Sequence, residues 1–148
     1  IKNEIELENA KTNYNILRKD LTNYLLKVFS ENPDSEYPQK IFEIGTVFNG
    51  LDEKERLSIG ISPGNFTELR QILEYLFNML DINLKIVSDE NPAIYFIEGR
   101  VGKIIVNDNV IGNIGEIHPK IIKNFKIKMP VTLLEIDLEE VFKTIHPK

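Results

Sequence analysis

The stretch KIFEIGTVFNGLDEKERLSIGIS, Lys40 to Ser62, decides the fold. Its first part, Lys40 to Phe48, is rich in Ile, Phe and Val and reads as a strand buried on at least one face. Asn49-Gly50 predicts a tight hairpin turn, because Gly tolerates the backbone such turns require. In the return, Arg56 to Ser62, Leu57, Ile59 and Ile61 alternate with polar or small residues, the period of a strand resting one face on a core.

The pattern continues outward on both sides. Upstream, Leu17, Leu21, Tyr24, Leu25, Val28 and Phe29 fall at helical spacings of three and four and predict a helix lying on a core. Asn32-Pro33-Asp34-Ser35 ends it, since Pro cannot continue a helix. Before it, Ile5 and Leu7 alternate with charges over Lys2 to Glu8, the pattern of a half-exposed strand. Downstream, Pro63-Gly64 closes the hairpin. Asn65 is a good N-cap, with Glu68 placed to reach back to the cap's amide. Phe66, Leu69, Leu73, Leu76, Phe77 and Leu80 then form one apolar helical face.

Asn83 to Ser88 and Ala93 to Ile97 read as strands separated by the acidic turn Asp89-Glu90-Asn91-Pro92. Lys103 to Val106 and Val110 to Ile114 predict a hairpin around Asn107-Asp108-Asn109. Pro119 suits the first turn of a short helix to about Phe125. Val131 to Ile136 is a further strand, and Asp137 with Glu140 predicts a capping box for a last helix to about Ile145. Strands joined by hairpins with helices between them make an α+β domain spanning 1–148, a mostly antiparallel sheet with helices on one face.

Composition narrows the chemistry. The 148 residues carry 18 Lys and Arg against 23 Asp and Glu, a net charge of -5. That balance argues against independent, tight nucleic-acid binding but leaves room for a local basic patch. The absence of cysteine removes disulfides, thiol nucleophiles and thiolate metal sites. No apolar run is long enough to span a membrane, and IKNEIELENAK lacks the head and core of a secretory signal. With no initiating Met, the chain is expected to be a piece of something longer. Asn65-Phe66-Thr67 fits a glycosylation sequon, read here as a chance match.

The local motifs are weak as chemistry. His118 and His146 stand alone, without metal-ligand spacing, so no metal site is expected. Gly112-x-x-Gly115 lacks the spacing of a dinucleotide or phosphate loop, and its glycines read as relief of backbone crowding. Glu116 and His118, two apart on an extended chain, could share a face as acid and base. His118 before Pro119 equally suits a helix entry. In Gly99-Arg100-Val101-Gly102, Arg100 could meet an anion or carboxylate, or form a salt bridge at a strand junction.

Taken in order, however, the pieces are specific. Leu17-Arg18-x-x-Leu21, Phe42-Glu43-Ile44-Gly45, Phe96-Ile97-Glu98-Gly99-Arg100, Ile111-Gly112-x-x-Gly115-Glu116-Ile117-His118-Pro119 and Glu135-Ile136-Asp137-Leu138 closely resemble the core domain of the phenylalanyl-tRNA synthetase β subunit family, in its archaeal and eukaryotic cytosolic form. The resemblance runs from about Leu7 to Phe142. It implies a class II aminoacyl-tRNA synthetase-like antiparallel sheet flanked by helices, in a non-catalytic double of the catalytic domain. It marks Arg18, Phe42, Glu43, Gly45, Gly99, Arg100, Gly112, Gly115, Glu116, His118 and Pro119 as structural signature residues. Class II chemistry uses two arginines that Phe42-Glu43-Ile44-Gly45 and Gly115-Glu116-Ile117-His118 do not supply.

The resemblance further implies a cytoplasmic heterotetramer of two α and two β subunits that attaches phenylalanine to its tRNA. In that complex the α subunit uses ATP and Mg2+, while this domain binds no cofactor itself. The alternative is a free-standing paralogue that binds an amino acid or nucleotide near Arg100.

Overall fold

The computed structural model describes residues 5–9 and 16–147. The chain runs α1 (Thr22–Glu31), β1 (Gln39–Asn49), β2 (Asp52–Ser62), α2 (Phe66–Met79), β3 (Lys85–Ser88), β4 (Phe96–Val106), β5 (Asn109–Ile117), α3 (Pro119–Asn124), β6 (Thr132–Asp137) and α4 (Leu138–Ile145). The six strands form one sheet in the order β1-β2-β6-β5-β4-β3. Every neighbouring pair is antiparallel.

The opening hairpin forms, but its turn is Gly50-Leu51 rather than Asn49-Gly50: Asn49 stands opposite Asp52, where the return strand already begins, and Gly50 has φ +65°. A second tight turn joins β4 to β5 through Asn107 and Asp108, both at positive φ, with Val106 opposite Asn109. Asn and Asp tolerate that region better than most residues.

Helices cover both faces of the sheet, not one. On the first face, Leu69, Leu73 and Phe77 of α2 and Leu138 and Val141 of α4 pack with Leu57, Ile61, Ile104, Ile114, Leu134 and Ile136. On the second, Leu25, Leu26 and Phe29 of α1 pack with Val47, Phe96, Val101, Ile117 and Leu133. Two cores are possible because β6, the central strand, is buried on both faces, and such strands read as continuous apolar runs rather than alternations. Two glycines let aromatic rings settle on the second face. A Cβ on Gly60 would lie 2.9 Å from Phe29 Cε2, and one on Gly115 would lie 2.7 Å from Phe96 Cδ1.

Other expectations shift at their edges. α1 begins at Thr22 rather than Leu17, because the preceding residues bond elsewhere: Leu17 N donates to Ile5 O at 2.8 Å, and Arg18 O accepts from Phe48 N at 2.8 Å. Of the predicted first strand, residues 2–4 lie outside the described residues, and Glu6 makes an isolated bridge to Ile16. The segments Ala93 to Ile97 and Lys103 to Val106 are not separate strands. Phe96 to Val106 is one strand, carried through an irregularity where Gly99 has φ +77°. Strand β1, predicted to be buried on a face, buries only Val47.

The caps form without the reciprocal glutamate bond of a box. Asn65 accepts from Glu68 N, but the Glu68 carboxylate pairs with Lys40 at 2.9 Å. Asp137 accepts from Glu139 N and Glu140 N, while Glu140 pairs with Lys143.

Candidate functional site

Residues directly opposite one another on antiparallel strands share a face, so register alone places a polar row on the second face. Glu43 stands opposite Ser58, Ser58 opposite Glu135, Glu135 opposite Asn113, and Asn113 opposite Lys103. This row crosses five strands beside the apolar strip that receives α1. It is the place where the sheet could present chemistry to a ligand.

Its charges are committed to one another. Glu135, nearly buried, accepts from Leu21 N at 3.1 Å, Thr22 N at 3.1 Å and Thr22 Oγ1 at 2.8 Å. These amides open α1, which lacks a side-chain cap of its own; a carboxylate there satisfies free donors and suits the helix dipole. The same carboxylate takes Arg56 Nη1 at 3.2 Å. Arg18 crosses above Gly45, donating from Nη1 to Glu43 and from Nε to Thr46 O at 2.9 Å, with its guanidinium 5.4 Å from the Tyr24 ring centre. Ser58 Oγ, fully buried, donates to Leu134 O at 2.7 Å. At the far end, the nearly buried Asp89 accepts from Asn113 Nδ2 at 3.0 Å and faces Lys103 Nζ at 3.5 Å.

Tyr95, half-buried beside the row, has its phenol pKa raised above the ordinary 10.0. Burial is the largest cause, followed by the negative charges of Asp20 and Glu135.

The predicted signature residues separate into groups. Arg18, Glu43 and Gly45 meet in one contact. Arg100 and Glu116 meet in another, on the opposite face: Arg100 Nη1 lies 2.9 Å from Glu116 Oε2, and Glu116 Oε1 accepts from Phe66 N at the start of α2. Arg100 thus forms a salt bridge at the strand irregularity marked by Gly99, beside a shallow cavity of about 340 Å³ that also touches Arg70. Glu116 and His118 are not brought together as an acid–base pair. His118 caps α3, its Nδ1 accepting from Lys120 N at 3.1 Å, with Pro119 in the first turn. Gly112 permits close approach of strands, since a Cβ there would stand 2.0 Å from Glu135 O.

Phe42 departs most from expectation. It is 72% exposed, and with Ile44, Ile59, Ile72 and Leu76 it lines an apolar groove of about 380 Å³ on the first face. The residues that sequence reasoning passed over are Arg56, Thr22 and the carboxylate of Glu135. The available signal was a single acid inside the apolar run Val131 to Ile136.

Comparison with known proteins fits this geometry. The family model described as "Phenylalanyl tRNA synthetase beta chain CLM domain" matches residues 2–138. The phenylalanine–tRNA ligase beta subunit of Thermococcus onnurineus is 37% identical over 149 residues, covering 94% of this chain and 26% of that relative. That of Methanococcoides burtonii is also 37% identical, covering 84% of this chain and 23% of the relative. The chain therefore spans about a quarter of the length of the curated relatives it matches. Among solved structures, the pyrrolysyl-tRNA synthetase of Desulfitobacterium hafniense superposes with a TM-score of 0.73 at 16% identity, over 95% of this chain and 53% of that one. The six-stranded antiparallel sheet with flanking helices is thus a class II synthetase-like fold. No helix among the described residues is long and apolar enough to cross a membrane.

Proposed function

We infer the function from one premise: this chain belongs to the phenylalanyl tRNA synthetase beta chain CLM domain family. It serves as a non-catalytic core domain of a phenylalanine–tRNA ligase β subunit. In that role it packs against a catalytic α subunit, in a cytoplasmic heterotetramer of two α and two β chains. ATP, Mg2+ and phenylalanine act on the α subunit, and the phenylalanine tRNA is charged by the whole complex.

One observation carries the non-catalytic reading. On the face bearing the polar row, the guanidiniums of Arg18 and Arg56 are held by Glu43 and Glu135. An adenylate-forming site needs cationic donors directed at the phosphates, where charge develops in the transition state. Here the carboxylates occupy that role's cations, and α1 covers the adjoining sheet. The exposed Phe42 and Ile44 support a task performed by contact.

The deciding experiment is phenylalanine-dependent ATP–pyrophosphate exchange. The purified chain is expected to give none, while a complex containing it with a catalytic α subunit exchanges; robust exchange by the chain alone would falsify this reading. A binding module centred on Arg100 is less well supported, because Glu116 already holds that guanidinium.

A further inference from the structure

From Ile117 to Leu134 the sequence contains no acidic residue and four lysines, Lys120, Lys123, Lys126 and Lys128. This is the longest acid-free run in a chain whose net charge is -5. Elsewhere the surface mixes signs, as in Asp52-Glu53-Lys54-Glu55-Arg56, Glu68-Leu69-Arg70 and Glu139 to Lys143.

The fold turns this run into a patch. In α3, Ile121 and Ile122 face the second core, as does Phe125 just after it, which leaves Lys120 and Lys123 on the outer side. Phe125 O is held by Ser30 Oγ of α1, fixing the segment to the sheet's cover. Lys126, at φ +57°, reverses the chain out of the helix, and buried Ile127 anchors the return. All four lysines are exposed. Lys128 pairs with the exposed Asp34 at 3.0 Å, whereas Lys120, Lys123 and Lys126 make no ion pair among the described residues.

We propose that Lys120, Lys123 and Lys126 form a phosphate-contacting surface for the backbone of an RNA. Unpaired ammonium groups on flexible stems suit phosphates as point charges, without the fixed geometry of an arginine fork. Each phosphate neutralised releases counterions, so the contact favours association and weakens with salt. The acidity of the remaining surface keeps the affinity modest and confines the RNA to this side. The inference rests on the reading that the chain serves a tRNA-charging complex, since that supplies the RNA.

The test is fluorescence anisotropy with a labelled phenylalanine tRNA transcript across a salt series. It needs neither ATP nor a catalytic partner, so a failed exchange or assembly assay leaves its outcome untouched. The Lys120→Ala, Lys123→Ala, Lys126→Ala triple variant is expected to bind at least about ten-fold more weakly near 50 mM salt. Its log–log salt slope should be shallower by about two to three, as three lost phosphate contacts imply. The corresponding triple arginine variant should retain binding. A hairpin RNA of unrelated sequence should lose as much, because phosphate contacts carry no base information. Unchanged binding by the alanine variant, or no binding by the wild-type chain, would overturn the proposal. So would lysine-dependent binding to phosphatidylserine vesicles without binding to RNA. Thermal melts establish that each variant is folded.

Discussion

The guanidinium of Arg18 occupies the space where a side chain at Gly45 would begin. A Cβ on Gly45 would stand 2.1 Å from Arg18 Nη2 and 3.3 Å from Glu43 Oε1. Arg18 and two neighbouring positions of β1, Glu43 and Gly45, are therefore one contact, in which the glycine lets the arginine cross to its carboxylate.

Replacing Gly45 with Ala should push the Arg18 side chain aside, breaking its bonds to Glu43 and Thr46 O. The guanidinium is the free end of a flexible side chain, so the cost should be moderate, about 1–2 kcal/mol. Arg18→Ala removes the obstruction, and in that background Gly45→Ala should cost measurably less. Urea unfolding of the four proteins in this cycle provides the measurement; strict additivity would sink the coupling.

Glu135 should be the most costly carboxylate to remove. Glu135→Ala leaves Arg56 without its partner and the first amides of α1 unsatisfied, for a loss of about 3–5 kcal/mol. Glu135→Gln keeps an acceptor for those amides but loses the charge, and should cost about 1–3 kcal/mol. Glu53→Ala, at an exposed position of β2, should stay within about 0.5 kcal/mol. Equal losses for Glu53 and Glu135 in chemical denaturation would refute the assignment.

Tyr95 predicts a loss of stability in alkali. Its phenol pKa is raised in the folded chain by burial and by the neighbouring negative charges. The folded state therefore disfavours tyrosinate. The contribution is fully present below the unfolded value near 10.0 and is lost as the pH climbs through the folded one. Wild type should lose more stability between about pH 9 and pH 11 than Tyr95→Phe does. Parallel pH profiles for the two proteins would remove Tyr95 from the account.

Phe42→Ser tests whether the apolar groove works by contact. With 72% of the residue exposed, the substitution should change unfolding free energy by less than about 0.5 kcal/mol. Co-purification with a catalytic α subunit should fall. A large stability loss with unchanged assembly would reverse the assignment.

What was legible in the sequence was local. Asn65 and Asp137 accept from amides within three residues, and Pro119 needs no amide partner of its own in a first turn, so their type and spacing suffice to place helix starts. The two tight turns likewise depend on neighbours alone. Burial is different, because it depends on what lies above a strand. Phe42 and Ile44 look like core, yet β1 is an edge strand and α2 packs mainly over the middle of the sheet. Glu135 shows the opposite failure. A charged residue in a strand suggests solvent, but its partners Leu21 and Thr22 come from the far end of the chain, and no local pattern announces them. Arg100 sat between these cases: its salt bridge was foreseeable, but its partner Glu116 was not.

The position of β6 has a consequence for the order of assembly. It is the last strand in sequence, yet it lies between β2 and β5, and it is the strand through which the two halves of the sheet are joined. Until residues 132–137 leave the ribosome, the β1-β2 hairpin and the β3-β4-β5 meander have no backbone pairing to each other. Each would then expose an unpaired inner edge, the kind that invites association with another nascent chain. Completion of the sheet is thus a late, long-range step, and a chain stopped before Thr132 would remain two unsealed halves.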